Sequence, residues 1–130
     1  MMKAIVLSNG ELEVKEIENS LENLQKIVGG YIEMPYISKV FIQNGIDMVI
    51  NEEGKYMDDL EPQIAILGKV NNQILDLIYG NCIFVSHDDI GNTIGLNDEQ
   101  IKVVMEELKL DVTLIQKDEE KEMLVKALFM

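Results

Sequence analysis

The sequence predicts an α+β fold, a mostly antiparallel sheet with a crossover helix and helices at the C-terminal end. Three observations predict it. Residues 1–17 hold two β-rich runs joined by Asn9-Gly10, the dipeptide favoured in two-residue hairpins. Residues 21–28 carry apolar side chains at helical spacing and run into Gly29-Gly30, where glycine takes the left-handed conformation that ends a helix. Residues 81–86, NCIFVS, form a short buried-strand run, and a capped helix follows from Asn97.

Taken in order, residues 3–7 (KAIVL) and 11–17 (ELEVKEI) make a hairpin with one wet side. Asn19 or Ser20 caps the first helix, whose stripe is Leu21, Leu24, Ile27 and Val28. Residues 31–34 and 39–43 read as extended, with Pro35 as a break between them. Asn44-Gly45 offers a second hairpin turn. The strand at 46–51 then sets Ile46, Met48 and Ile50 against Asp47, Val49 and Asn51. Residues 56–62 are turn-like, while 63–70 and 73–79 fit either helix or strand and flank an Asn71-Asn72 turn. Residues 87–93 form a polar loop. Asn97 caps the next helix, with Gln100 at its third position and acids in its first turn, where the helix dipole favours them. Ile101, Val104, Met105 and Leu108 are its stripe. Residues 112–115 follow as a short strand, and 117–128 as a last amphipathic helix with Met123, Leu124, Ala127 and Leu128 on one side. The organisation expected is one domain over residues 1–110 and a C-terminal extension over 111–130. The apolar end of that extension docks either on the domain or on a second subunit, so a homo-oligomer, most simply a dimer, is expected.

Charge narrows the function. The formal net charge is −13, and all 11 basic residues are lysine. Without the planar arginine fork or a basic face, direct nucleic-acid or anionic-membrane binding is not expected. No run reaches the ~20 apolar residues of a membrane helix. The N-terminal run reads as a strand and not as a signal peptide. Cys82 is the single cysteine, which fits a reducing cytoplasm.

The candidate chemistry is sparse. His87 lies in Ser86-His87-Asp88-Asp89, but a transition-metal site needs three or four ligands and the chain has one His and one Cys. A solvated loop histidine is the reading. Asp88-Asp89 with Asn92 lacks the order of a calcium loop. Cys82 sits inside an apolar strand, where a thiol acts as a small hydrophobe. No nucleophile elbow, phosphate loop or dinucleotide fingerprint occurs, so no enzyme and no cofactor are expected. Asn51-Glu52-Glu53-Gly54-Lys55 is a good turn, with Gly54 read as the position that takes positive φ.

Several stretches together resemble a domain-of-unknown-function family found widely in phages and mobile elements of Firmicutes. They are the opening MKAIVLSNGELEV, LQKIVGGYIE (24–33), INEEGK (50–55), GNCIFVS (80–86) and GLNDEQI (95–101). The likeness spans roughly residues 2–110. Members carry a Leu-Pro-x-Asn-Arg stretch where this chain has Leu60-Glu61-Pro62-Gln63-Ile64, so no role of that Asn-Arg pair carries over. The resemblance pairs the Asn-Glu-Glu-Gly-Lys turn with Tyr31 and Glu33, which implies that the turn borders a pocket; the alternative reading is a turn and nothing more. The expected lining is Tyr31, Glu33, Tyr36, Asn51, Glu52, Lys55 and Tyr56. Two functions are expected from different classes. One is sequestration of a small nucleotide-like host immune signal, a lysine and backbone N–H groups meeting phosphate and a tyrosine stacking on the base. The other is an acidic inhibitor that docks on a basic surface of a host defence enzyme, as a nucleic-acid mimic does.

Overall fold

The computed structural model describes residues 1–116 and 121–130. The strands among them form two sheets. In the first, β1 (Met2–Ser8) pairs with β2 (Glu11–Ile17) and with β7 (Cys82–His87); β7 pairs with β4 (Ile46–Asn51) and β8 (Thr93–Ile94); and β4 pairs with β3 (Ile32–Glu33). Every pairing in this sheet is antiparallel. The second sheet has the order β6-β5-β10-β9, built from β5 (Pro62–Leu67), β6 (Ile74–Tyr79), β9 (Asp111–Gln116) and β10 (Lys121–Phe129). Its β5–β10 pair is parallel and its other two pairs are antiparallel. The fold is α+β with mostly antiparallel sheets.

Among the described residues three α-helices complete it: α1 (Leu21–Val28), α2 (Lys39–Gln43) and α3 (Asp98–Glu107). α1 begins where Ser20 Oγ accepts from Asn23 N (3.2 Å) and stops at Gly29, φ +86°. Its stripe places Leu24 and Val28 against Ala4, Val49, Ile83 and Val85 on one face of the first sheet. The main core lies on the other face. Ile5, Leu7, Met48 and Phe84 meet Ile64, Ile66 and Leu128 of the second sheet, and Val104 of α3 and Leu108 at its C-cap join them. β4 is therefore buried along both faces. Ile46, Met48 and Ile50 join the main core while Val49 joins the α1 side, with the parity that alternation predicts.

α3 opens with a capping box in which Asn97 Oδ1 accepts from Gln100 N (2.8 Å) and Gln100 Oε1 accepts from Asn97 N (2.9 Å). The Gln100 Nε2 group also donates to Asn44 O (2.8 Å) and Ser86 Oγ (3.0 Å), which ties the helix to the entry of β4 and the end of β7.

Three expectations are corrected. Residues 39–43 are α2 and not a strand: Ser38 Oγ accepts from Phe41 N (3.3 Å) and starts a helical turn whose Phe41 ring packs edge-on to Phe84 at 5.7 Å. Asn44-Gly45 accordingly leads from α2 into β4 instead of closing a hairpin. The expected C-terminal helix at 117–128 is replaced by β10, with residues 117–120 lying outside the described residues. Met123, Val125, Ala127 and Phe129 alternate along it, and backbone pairing on both sides, to β5 and β9, holds the strand. The two segments that fit helix or strand are both strands, β5 and β6, joined by a turn in which Asn71 and Asn72 take φ of 60° and 51°.

Candidate functional site

The Asn-Glu-Glu-Gly-Lys turn leaves β4 at the edge of the first sheet. Asn51 is 4% exposed, and its whole amide is committed. Nδ2 donates to Val28 O (3.2 Å), and Oδ1 accepts from Glu53 N (2.9 Å). The side chain thus bolts the end of α1 to the start of the turn. A Cβ at Gly30 would lie 2.9 Å from Asn51 Nδ2, which accounts for the second glycine after α1. β3 adds to the same edge through Ile32↔Asn51 and Glu33↔Ile50, and Glu52 N donates to Tyr31 O at 2.8 Å.

Gly54 does not take a positive φ, contrary to the expectation. It stands where a Cβ would meet Tyr79 O at 2.7 Å, so the turn needs glycine for close approach to β6. Next to it, Lys55 Nζ lies 3.2 Å from Asp76 Oδ1 of β6. The hydrogen bond and the charge of Asp76 hold the lysine above its usual range.

These residues enclose a cavity of about 130 Å³ whose lining includes Glu33, Ile50, Asn51, Glu52, Lys55 and Asp76. Of the expected site residues, Glu33, Asn51, Glu52 and Lys55 come together here. Tyr31, Tyr36 and Tyr56 do not line it; they stand 72%, 72% and 79% exposed on the flanking segments. Their neighbours in sequence, Glu33, Glu52, Glu53, Asp58 and Asp59, are exposed as well. The edge is an open, acidic, tyrosine-bearing surface over a small pit. Asp76 was missed by sequence reasoning because it lies in the segment that fits helix or strand, and only the β5–β6 pairing brings it to Lys55.

A larger cleft, about 610 Å³, opens between α1 and the β1–β2 hairpin. Val6, Ile17 and Ile27 form its apolar part, with Lys15, Lys26 and Asn81 among its polar groups. Asn81 Nδ2 donates to Ile27 O (3.2 Å) and so anchors one wall to α1.

The remaining candidates resolve as structure. Cys82 is fully buried and burial pushes its thiol up to about 12. His87 ends β7, with Nδ1 2.9 Å from Oδ2 of the buried Asp47. Asp88 caps its own loop by accepting from Asn92 N (2.8 Å) and Ile90 N (3.0 Å). The backbone bond from Asn92 leads the causes that lower its pKa. Among the described residues no group of three or more His, Cys, Asp or Glu is placed to hold a metal ion, and no helix is long and apolar enough to cross a membrane.

A family model described as "Domain of unknown function (DUF3846)" matches residues 2–109. No curated protein and no solved structure matches the chain.

Proposed function

The chain belongs to this family, whose description assigns no activity, and we propose that it is a non-catalytic, cytoplasmic binding protein that docks on a basic surface of another protein. A host defence enzyme is the class of partner that the likeness to phage and mobile-element proteins implies. The observation that carries the reading is the β3–β4 edge, where Tyr31, Tyr36 and Tyr56 are each more than 70% exposed beside exposed carboxylates. Exposed tyrosines supply large, stiff contact area and recur among the residues that dominate interface energies. The surrounding acids steer a basic partner and reject acidic ones. The protein acts as a homo-oligomer in this reading.

Capture of host proteins on the immobilised chain tests it. The expected result is a partner that elutes as salt is raised and is lost from the Tyr31→Ala, Tyr36→Ala, Tyr56→Ala triple variant. A partner that the triple variant retains in full, or that salt does not release, overturns the proposal.

Volume favours a second reading at a different place. The pit under the turn is too small for a nucleotide, whereas the α1 cleft falls within the ~300–1,000 Å³ of small-molecule sites. Its lining combines Lys15 and Lys26 with Glu16 and Glu18 beside Val6, Ile17 and Ile27, and the two lysines are the groups that would meet the phosphate of a nucleotide-like signal. Calorimetric titration with cyclic nucleotides and ADP-ribose derivatives separates the two readings: heat that Lys26→Glu abolishes favours sequestration, and no heat with any of them counts against it.

A further inference from the structure

The pit under the Asn-Glu-Glu-Gly-Lys turn has a polarity that its lysine does not announce. Among the described residues lining it, four carry charge: Glu33 of β3, Glu52 and Lys55 of the turn, and Asp76 of β6. Lys55 Nζ is held by Asp76 Oδ1 at 3.2 Å, so that pair cancels and the two glutamates are left over. The register places them together. Glu33 pairs with Ile50, and Glu52 N donates to Tyr31 O at 2.8 Å. The two acids therefore stand on adjacent strands one diagonal step apart, ~7–8 Å in such ladders. The pit's own lysine feels the resulting field. Asp76, by its hydrogen bond and then its charge, holds Lys55 above its usual range, and the charge of Glu33 adds to this. A phosphate entering here would meet two glutamates and a lysine already neutralised, so an anion is repelled and a cation is drawn in.

We propose that the pit receives an arginine side chain of the basic partner, with its guanidinium between Glu33 and Glu52. The inference rests on the docking reading above and names the anchor that the partner brings to the tyrosine edge. Size, shape and hydration choose arginine. A cavity of about 150 Å³ holds one benzene ring. The pit, at about 130 Å³, matches a guanidinium with its last methylene. Ile37, Ile50 and Leu77 line it beside the acids and receive the apolar stem. The planar fork offers donors in two directions, which suits two separate carboxylates, and it is less strongly hydrated than a lysine ammonium. Arginine and tyrosine also stand together among the residues that dominate interface energies, and Tyr31, Tyr36 and Tyr56 flank the pit with their rings exposed.

Amide NMR of the full isotope-labelled chain, titrated with N-acetyl-arginine methylamide, reads the site directly. The expected result is saturable shifts gathered at Glu33, Glu52 and Lys55, with weaker binding of N-acetyl-lysine methylamide. Inorganic phosphate is expected to leave these amides in place. Lys55→Gln frees Asp76 and is expected to tighten arginine binding about threefold, whereas Glu52→Gln weakens it about threefold. The same charge changes on the exposed side of α3, Lys102→Gln and Glu106→Gln, leave it unchanged. A phosphate site reverses the sign at Lys55. No saturable shift, shifts spread over the acidic surface, equal affinity for the lysine probe, or a Lys55→Gln variant that binds arginine no more tightly overturns the proposal. A chain that captures a host protein through its tyrosines while arginine leaves the pit untouched loses the anchor and keeps the docking reading. Arginine held in the pit of a chain that captures no partner supports the arginine site and removes the docking reading.

Discussion

At the scale of single residues, the turn after β4 shows why one motif supports two physical accounts. Asn-Glu-Glu-Gly-Lys is legible as a turn from residue type alone. The reason for its glycine is not, because positive φ and close approach both demand a missing Cβ. The chain uses the second, with Tyr79 O standing 2.7 Å from where a Cβ would sit. Gly54→Ala is therefore expected to cost ~1–3 kcal/mol by forcing β6 away from the turn, measured by urea unfolding. An unchanged midpoint would show that β6 yields freely. Asn51 teaches the same lesson from the other side. It reads from sequence as a polar group available to a ligand, yet its donor and acceptor are used up on Val28 and Glu53. Four of the seven expected site residues, Glu33, Asn51, Glu52 and Lys55, share the pit while the three tyrosines stand outside it, and that division depends on how β3, β4 and β6 come together, which spacing does not encode.

At the scale of elements, legibility follows length and capping. α1 and α3 announce themselves by a stripe and a cap. α2, with five residues, is too short for periodicity to register, and its Val-Phe-Ile content imitates a strand. The chain's last element fails for a different reason. Met123, Leu124, Ala127 and Leu128 satisfy helical spacing, while Met123, Val125, Ala127 and Phe129 satisfy alternation equally well, and only the open edges of β5 and β9 decide between them. Gln100 shows an element doing more than its cap requires. Asn97→Ala removes one side-chain cap and is expected to cost about 1 kcal/mol. Gln100→Ala removes the reciprocal cap and the donor to Asn44 and Ser86, so it is expected to cost more, about 2 kcal/mol. Thermal melts of the two variants rank them, and equal losses would show that the link from α3 to β4 and β7 adds nothing.

At the scale of the whole molecule, the hairpin, the helical stripes and the buried strand β7 were legible because each is a local pattern. The division into two sheets was not, since it depends on partners far apart in the chain: Gly10 N meets Gln63 Oε1 at 2.8 Å, and α3 reaches back to Asn44. Both apolar faces of the second sheet look alike in sequence, and only the first sheet marks one of them as interior. The parallel β5–β10 pair carries this to its limit, with residue 126 seated beside residue 64. Until β10 arrives, β5 has a partner on one flank only, and Ile64 and Ile66 wait with their backbone groups unpaired on the other. Such long-range pairing is slow to form and leaves a sticky strand edge open in the interim. During synthesis the ribosome delivers β5 well before β10. A nascent chain of this protein therefore spends that interval as a half-made sheet, the stage at which a chaperone's shelter matters most.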